Sequence, residues 1–338
     1  MQHKGAMGII HFLTNCFFLI AACLLIALVP RPSAAEKIRV AYVSPSAVLS
    51  IPRIANDAGI LAKYGLEAEL ILLTGSPRLV QSLIAGGIDL SVVGITAVIR
   101  ARMRGADVVI LANPSNVPNQ KLMVSHASKI HRLEDLRGAT IGVSQYGSEA
   151  DTFARIALSK AGLRPDKDAA ILQLGGHPQV AAALAAGKIE AGVLGGLATL
   201  TAQKSGARVL TSGLELQTVS PAGTLAATGA YVQRNHNTVA RFMRAFVEGI
   251  HYFKTNPGGT IPILQKHLGV NTEQARFLYE EQVNLFEPFP LPSDKALQAV
   301  LDRESDPKAR NFKPADFVDL SFLREIEKSG LIENLYRK

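Results

Sequence analysis

The sequence has little cysteine, and none of it lies beyond residue 23. The chain of 338 residues contains two cysteines, and both fall in an apolar N-terminal segment, at Cys16 and Cys23. The chain from Glu36 onward therefore cannot form a disulfide, a zinc finger, an iron–sulfur cluster or a cysteine nucleophile. At roughly 300 residues it is long enough to be held by its hydrophobic core alone.

Signature motifs of the common enzyme classes are also absent. The sequence has no Gly-x-Ser-x-Gly elbow, no glycine loop ending in Lys-Ser or Lys-Thr, no His-Glu-x-x-His and no Gly-x-Gly-x-x-Gly after the first predicted strand. Serines, histidines and acids are numerous, but composition alone does not define a catalytic triad. We therefore expect no enzyme, no metal site and no cofactor.

Clusters of one charge are missing as well. The chain has 36 basic and 28 acidic residues and a net charge of +8. The basic residues are scattered and are not interleaved with aromatic residues, which indicates a solvated surface rather than a nucleic-acid-binding face. A mild positive charge favours anionic solutes.

The first 35 residues have the order of a secretory signal. Lys4 precedes an apolar run over residues 7–29, and small residues follow at 33–35. This predicts export to the periplasm and cleavage after Ala35. Two alternatives remain open: residues 20–23 resemble a lipobox, which would give a lipoprotein anchored at Cys23, and the apolar run is long enough to stay in a bilayer.

Beyond this segment, short β-branched runs alternate with helix-like stretches, which predicts α/β layers around largely parallel strands. Ser76 is predicted to cap a helix that has Pro77 at its first position. A turn-rich stretch at residues 113–119 is suited to a crossing between two parts of the fold. Strands are predicted at residues 38–43, 67–73, 89–93 and 108–111, with helices at 52–64 and 96–104.

An internal repeat appears when the chain is shifted against itself by 101 residues. Asp89 then meets Glu190, a conservative match. Two lobes with the same order of strands and helices are the natural interpretation, although alanine, glycine, valine and leucine are common enough for some matches to arise by chance. The residues that have the same residue type 101 positions later are Pro77, Leu83, Ala85, Gly86, Ile88, Val92, Gly94, Ala97, Gly105, Ala106 and Val108.

The last third of the chain is predicted to be mainly helical. Apolar residues recur at helical spacing between Val239 and Phe253, and Asn271 with Gln274 predicts a capped helix start. These helices are expected to pack on the first lobe, which is then discontinuous in sequence. The predicted division is a signal at residues 1–35, a first lobe at 36–118 plus 228–338 and a second lobe at 119–227.

The candidate ligand site follows from the rule that open parallel sheets bind ligands beyond the carboxyl ends of their strands. Two lobes facing each other would line one cleft with loops of small, hydroxyl-bearing and glycine residues, and helix N-termini would add N–H donors for an anion. Several of these residues have structural alternatives: serine and threonine can cap helices, and glycine pairs often only shape turns. Asp89 and Glu190 lie at the opposite strand ends and are interpreted as structural. The candidates are Ser44, Ser46, Thr74, Gly75, Ser76, Gly94 and Thr96 in the first lobe, and Gln145, Tyr146, Ser148, Gly176, His177, Gly195 and Gly196 in the second.

Four segments carry a family resemblance. Residues 58–70, 83–89, 133–143 and 239–257 together resemble the nitrate/sulfonate/taurine-type (NitT/TauT) substrate-binding proteins of ABC transporters. The resemblance implies an α/β, two-lobed type II periplasmic-binding fold, with each lobe a largely parallel sheet flanked by helices. It also implies two crossings, near residues 113–122 and 224–229.

The resemblance further implies a function. The expected protein is a monomer that closes on a small, anionic organic solute and delivers it to a permease with its ATPase, touching the membrane only through the permease or a lipid anchor. Related thiamine-precursor synthases use a cysteine and a cofactor lysine, so a thiol-free chain argues against that activity. No arginine lies in the candidate loops to form a sulfonate or carboxylate clamp. Two rival functions stay open: a sensor subunit for a membrane kinase, and an exported enzyme on the same fold.

Overall fold

The computed structural model describes residues 35–73, 75–304 and 306–337. The predicted signal sequence, its cleavage site and the lipobox at Cys23 therefore lie outside the described residues, as does Thr74. The strands in the described ranges are β1 Glu36–Tyr42, β2 Leu66–Leu72, β3 Leu90–Val93, β4 Val108–Ala112, β5 Lys121–Val124, β6 Thr140–Val143, β7 Ala170–Gln173, β8 Ala191–Leu194, β9 Arg208–Ser212 and β10 Thr224–Thr228.

Helices flank these strands, and short 3₁₀ turns span Ala47–Leu49, Leu133–Leu136, Pro307–Asn311 and Pro314–Phe317. The α-helices of the described ranges are α1 Ile51–Asp57, α2 Ile60–Lys63, α3 Ser76–Ile84, α4 Ile95–Met103, α5 Glu149–Lys160, α6 His177–Ala185, α7 Leu197–Lys204, α8 Gly229–Arg234, α9 His236–Thr255, α10 Pro257–Leu268, α11 Thr272–Val283, α12 Asp294–Leu301, α13 Ser321–Lys328 and α14 Leu331–Tyr336. None of the described helices is both long and apolar enough to cross a bilayer.

The strands form two five-stranded sheets with the same spatial order. The first is β2-β1-β3-β10-β4 and the second is β7-β6-β8-β5-β9. In each sheet one strand runs against its neighbours: β10 is antiparallel to β3 and β4, and β5 is antiparallel to β8 and β9. The predicted two-lobed α/β fold is therefore confirmed, with mixed sheets in which β10 is inserted between β3 and β4, and β5 between β8 and β9.

The 101-residue repeat corresponds to repeated structure. Strand β3 and helix α3 lie at the same offset from β8 and α6. Asp89 accepts a hydrogen bond from the Arg39 backbone N–H at 2.8 Å, and Glu190 accepts one from the Thr140 backbone N–H, also at 2.8 Å. Because Arg39 and Thr140 occupy matching positions in β1 and β6, both acids tie the start of a strand to its neighbour, as the structural interpretation predicted.

Both faces of each sheet are covered by apolar side chains, because successive residues of a strand point to opposite faces. In the first sheet, Val92 joins the core built on helix α9, and Val93 joins the core of α3, α4 and α12. In the second sheet, Leu122 packs toward α5 and Met123 toward α6 and α7. Buried strands of this kind read as nearly continuous apolar runs in sequence.

Some predicted boundaries differ from the structure. Helix α3 begins at Ser76 with Gly75 as its N-cap residue, so the prediction that Ser76 caps this helix was wrong. Pro77 fits the second helical position because the N–H groups of the first turn need no intrahelical partner. The predicted helix over residues 52–64 is divided into α1 and α2 around Ala58–Gly59.

The chain passes between the sheets twice, through residues 113–120 and 213–223. The two crossings pair with each other, since the Ala222 N–H donates to the Ser115 carbonyl at 2.8 Å and the Ser220 N–H donates to the Asn116 carbonyl at 3.0 Å. The return crossing ends earlier than the predicted residues 224–229, because β10 lies wholly in the first sheet. The predicted lobe boundary at residues 227/228 therefore falls inside this strand.

Candidate functional site

A cleft of about 710 Å³ lies between the two lobes. Helix α4 and the residues just after α12 form its first-lobe wall, helix α5 forms its second-lobe wall, and Ser220 and Pro221 of the return crossing also line it. A volume of this size matches sites for small organic ligands. The cleft is the candidate solute site.

Two helices begin at this cleft. Helix α4 starts after Gly94, where no side chain caps the first turn among the described residues, and helix α5 starts after Ser148. The Ser148 hydroxyl accepts a hydrogen bond from the Asp151 N–H at 3.3 Å, so Ser148 is a helix cap. Both helix starts direct N–H groups and partial positive charge toward the cleft.

Arginines enter the cleft from helices rather than from the predicted loops. Arg100 on α4 forms an ion pair with Glu304 at 2.8 Å. Arg155 on α5 pairs with Asp151 at 3.0 Å and with Asp166 at 2.7 Å. The loop analysis found no arginine because these side chains sit one or more helical turns away from the loops.

Arg303 differs from these two arginines. It lines the cleft just after α12 and makes no hydrogen bond or ion pair through its guanidinium with another described residue. Burial lowers the pKa of Arg303, and the nearby Asp302 and Glu149 carboxylates raise it again. The side chain is exposed to the open cleft, and its donors are therefore available to a ligand.

Glu149 is the acidic residue at the start of α5. Its carboxyl accepts a hydrogen bond from the Gln120 amide at 3.4 Å. Partial desolvation by the surrounding cleft walls raises the pKa of this carboxyl, while hydrogen bonds from Gln120 and Ser220 and the charge of Arg303 lower it. Glu149 is nevertheless exposed to water in the open cleft, and closure of the lobes would strengthen the desolvation.

The predicted first-lobe residues fall into two groups. Gly94 and Thr96 line the cleft, and Ser76 borders it, because its hydroxyl lies 3.1 Å from where a Cβ on Gly94 would stand. Gly75 is the N-cap residue of α3, and Ser46 precedes the Ala47–Leu49 turn. Ser44 is exposed and does not line this cleft.

In the second lobe, the loop before α5 reaches the cleft through residues other than the predicted Gln145, Tyr146 and Ser148. Gly147 and Glu149 of that loop are the lining residues. Tyr146 lies along the edge strand β7, where its hydroxyl donates to the Ile171 carbonyl at 3.1 Å.

The remaining predicted loops follow β7 and β8. Gly195 borders the cleft indirectly, because a Cβ there would stand 3.4 Å from the amide oxygen of Gln120, whose nitrogen binds Glu149. His177, which follows Gly176, contacts the Val193 carbonyl through Nδ1 at 3.2 Å, and burial lowers its pKa. A Cβ at Gly196 would stand 3.9 Å from Leu278 Cδ2 of α11. Ligand contact at these positions stays a prediction.

Helix α11 contacts both lobes. Its residues Ala275 and Leu278 are part of the first-lobe core. On its other side, Glu281 forms an ion pair with Lys121 of β5 in the second lobe, and Glu273 pairs with Lys204 of α7 at 2.9 Å. The sequence offered no signal for this contact, because each pair joins residues far apart in the chain.

The two ion pairs on α11 should differ in energy. The Lys121 and Glu281 side chains are each 17% exposed, whereas Lys204 and Glu273 are 54% and 64% exposed. Removing one partner of the inner pair leaves a poorly hydrated charge. We expect Lys121→Met and Glu281→Gln each to lower the free energy of unfolding by about 1–3 kcal/mol, and the double variant to lose less than the sum.

Urea denaturation of the single and double variants measures this coupling. The matched control is the outer pair, Lys204→Met and Glu273→Gln, where we expect a coupling below about 1 kcal/mol. Equal coupling in the two pairs would contradict the prediction.

The fold and cleft can be compared with known proteins. The periplasmic sulfonate-binding protein SsuA of Methylobacillus flagellatus superposes with a TM-score of 0.70 at 18% identity, over 89% of this chain and 96% of that chain. The aliphatic sulfonate-binding protein SsuA of Escherichia coli gives a TM-score of 0.68 at 19% identity, over 88% and 94% of the two chains. DszB, solved as a cysteine-to-serine variant in complex with biphenyl-2-sulfinic acid, gives a TM-score of 0.63 at 16% identity, over 87% of this chain and 99% of that chain.

Sequence comparison finds curated relatives with provisional names. YtlA of Bacillus subtilis, provisionally named as a binding protein, is 22% identical over 300 residues, which cover 86% of this chain and 88% of YtlA. A provisionally named binding protein of Brucella abortus is 30% identical over 149 residues, which cover 44% of this chain and 45% of that protein. The chain thus spans about half the length of the Brucella relatives it matches.

A family model identifies the chain more directly. The model described as "NMT1/THI5 like" matches residues 53–260, which is more than half of the chain and runs through both sheets, both crossings and the second-lobe wall of the cleft. The confirmed two-lobed fold agrees with the NitT/TauT-type resemblance seen in the sequence. This chain belongs to the NMT1/THI5-like family.

Proposed function

We propose that this protein is an extracytoplasmic solute-binding protein that captures a small organic solute between its lobes and delivers it to the permease of an ABC transporter. The observation that carries the proposal is the open cleft between two lobes, between which the described chain passes twice. Such an arrangement allows the lobes to close on a ligand and to open again. The predicted export of the chain places this activity in the periplasm.

The charges of the cleft support an anionic group on the solute. Two helix starts direct positive potential into the cleft, as does the guanidinium of Arg303, which makes no ion pair within the described residues. Two proteins of the same fold are named as sulfonate-binding proteins, and a third holds a sulfinic acid. We therefore include sulfonates and related organic acids among the candidate solutes.

Solution scattering tests the proposal. Solutes are first selected by thermal shift from sulfonates, nitrate, aromatic acids and pyrimidines, because a bound solute raises the melting temperature by mass action. We expect each stabilising solute to reduce the radius of gyration as the lobes close. Solutes that demonstrably bind without any compaction would contradict the proposed mechanism.

An exported enzyme on this fold is the second candidate, and the likeness to DszB favours considering it. The cleft holds a carboxyl at Glu149 that could exchange protons with a bound solute. Mass spectrometry of a bound solute over time separates the two functions. We expect the solute to be recovered unchanged, and turnover would favour the enzyme.

A further inference from the structure

The two crossings together form one attachment between the lobes. Backbone hydrogen bonds of 2.8 Å and 3.0 Å join residues 115 and 116 of the outgoing crossing to residues 222 and 220 of the return crossing. Because they are paired in this way, the crossings form a two-stranded ribbon rather than two separate joints. Two-stranded ribbons twist more strongly than wider sheets. The ribbon alone therefore does not restrict the lobes to one direction of movement.

A second-lobe helix, α7, lies against the first-lobe helix α11. Leu197, the first residue of α7, packs against the first-lobe core although it belongs to the second lobe. A Cβ on the preceding Gly196 would stand 3.9 Å from Leu278 Cδ2. At the other end of α7, Lys204 Nζ lies 2.9 Å from Glu273 Oε2. The start of α7 thus lies near the middle of α11 and its end lies near the start of α11, so the two helices run antiparallel.

One side of α7 supplies these contacts. Leu197 and Lys204 are the first and last residues of this eight-residue helix, which places them two turns apart on the same side. Ala198 and Ala202 point to another side and pack into the second-lobe core. Helix α7 is therefore fixed to its own lobe on one side and to α11 on the other.

A further contact with α11 lies next to the ribbon. Lys121 follows the outgoing crossing directly and forms an ion pair with Glu281. The second lobe thus meets α11 at points from Glu273 to Glu281, a span of about 12 Å along the helix axis. A twist of the lobes about the ribbon would pull Lys204 away from Glu273. Two attachments at different places leave one free axis of rotation, which is the line that joins them.

We propose that α11 is a second attachment of the second lobe, about which the lobes rotate when they close, and that Leu197, Lys121 and Lys204 restrict this rotation to one axis. The inference rests on the proposed function, because it assigns how the lobes of a solute-binding protein move. Among the described residues, these three are not part of the cleft lining. They therefore act by positioning the lobes and not by touching the solute.

Distances between spin labels on the two lobes test the proposal without any solute. Gln81 on α3 and Ala182 on α6 are exposed residues at matching positions of the repeat, and neither lies on α7, on α11 or in the cleft lining. In the full chain, Cys16→Ser and Cys23→Ser leave Gln81→Cys and Ala182→Cys as the only labelling sites, because the sequence has two cysteines. Double electron–electron resonance then gives the distribution of distances between the lobes.

We expect Leu197→Ala to broaden this distribution in the solute-free protein. The ratio of twisted to untwisted arrangements should rise roughly five- to tenfold, because a half-buried leucine loses its apolar contact with the other lobe. Adding Lys204→Met should broaden the distribution slightly further, since this exposed ion pair is weak. Lys121→Met removes the contact next to the ribbon and should broaden it as well.

The matched control is Leu210→Ala. Leu210 is also a half-buried leucine of the second lobe, but it packs within the core of its own lobe. We expect this variant to lose stability and to keep the wild-type distance distribution. A loss of stability alone therefore does not reproduce the result expected of Leu197→Ala. Circular dichroism checks that each variant is folded, and Lys204→Met with Glu273→Gln keeps the test available should Leu197→Ala fail to fold.

Two results would overturn the proposal directly. One is a distribution that is unchanged when Leu197→Ala and Lys204→Met are combined, or that Leu210→Ala broadens equally. The other is a single narrow distribution at a shorter distance, because α11 would then hold the lobes open instead of guiding their rotation.

The outcomes also separate this proposal from the proposed function. If a solute compacts the wild-type protein in scattering while the α11 variants leave the distances unchanged, the second attachment is wrong and the proposed function stands. If the variants broaden the distances but no bound solute compacts the protein, the second attachment stands and closure on a solute is contradicted.

Discussion

Replacing Phe253 by alanine is expected to lower the free energy of unfolding by about 3–5 kcal/mol, the usual range for removing a buried aromatic ring. Phe253 near the end of helix α9 is fully buried in the first-lobe core. Its ring stacks on Tyr279 of α11 at 5.3 Å and meets Phe286 edge-on at 4.8 Å. The substitution would leave a cavity that these aromatic neighbours cannot fill by small movements.

This contact also has a functional consequence. Tyr279 lies on the helix whose Glu281 pairs with Lys121 of the second lobe. A looser packing of α11 should therefore disturb the relation between the lobes as well as the core. We expect Phe253→Ala to weaken solute binding even though Phe253 does not line the cleft.

Urea denaturation and a solute titration check both parts. Leu214→Ala is the control, because Leu214 is 62% exposed and its truncation should change stability by no more than about 0.5 kcal/mol. The loss of stability for Phe253→Leu should lie between the losses for Phe253→Ala and Leu214→Ala. A loss for Phe253→Ala as small as that of the control would show that the ring does not anchor α11.

Gly223→Ala has the second largest expected effect, a loss in the free energy of unfolding of about 2–5 kcal/mol. Gly223 has a φ of +72°, a region that costs an alanine about 1–2 kcal/mol. A Cβ there would also stand 2.8 Å from the Val48 carbonyl oxygen and 3.1 Å from Pro114 Cγ. Because the first of these atoms is backbone, the crossings would have to shift, at a further cost of about 1–3 kcal/mol.

Gly223→Ala should also affect solute binding. Gly223 ends the return crossing that carries Ser220 and Pro221 into the cleft, so we expect weaker binding as well as lower stability. Gly258→Ala is the matched control, since outside the neighbouring residues and the helix backbone the nearest atom to a Cβ there is Asn256 Oδ1 at 3.7 Å. It lies in the first turn of α10 and should be neutral or slightly stabilising. Equal losses for both variants would contradict the account of the crossing.

Much of the fold could be predicted because its signals are local. The correspondence of β3 to β8 and of α3 to α6 in the repeat follows from prolines, glycines and apolar runs that recur at a spacing of 101 residues. The capped start at Asn271 is confirmed, with the Asn271 side chain accepting from the Gln274 N–H at 2.9 Å. The apolar face between Val239 and Phe253 is buried as predicted.

The site was predicted less completely. Gly94 and Thr96 line the cleft, but Glu149, Gln120 and Arg303 were not among the candidates. Gln120 belongs to a crossing and Arg303 follows a late helix, and neither belongs to a loop at the carboxyl end of a parallel strand. The rule used to select candidates therefore could not include them.

The sequence by itself determined the α/β class, the duplicated order of strands and helices, the absence of thiol chemistry beyond residue 23 and the resemblance to a family. These properties depend on residue types and on spacings within short stretches of chain. The tertiary structure decided which charges share the cleft, which of the cleft arginines form ion pairs among the described residues and how α11 contacts both lobes. Those facts depend on distances between residues that are far apart in sequence, as Gln120, Glu149 and Arg303 are, and only the folded chain sets such distances.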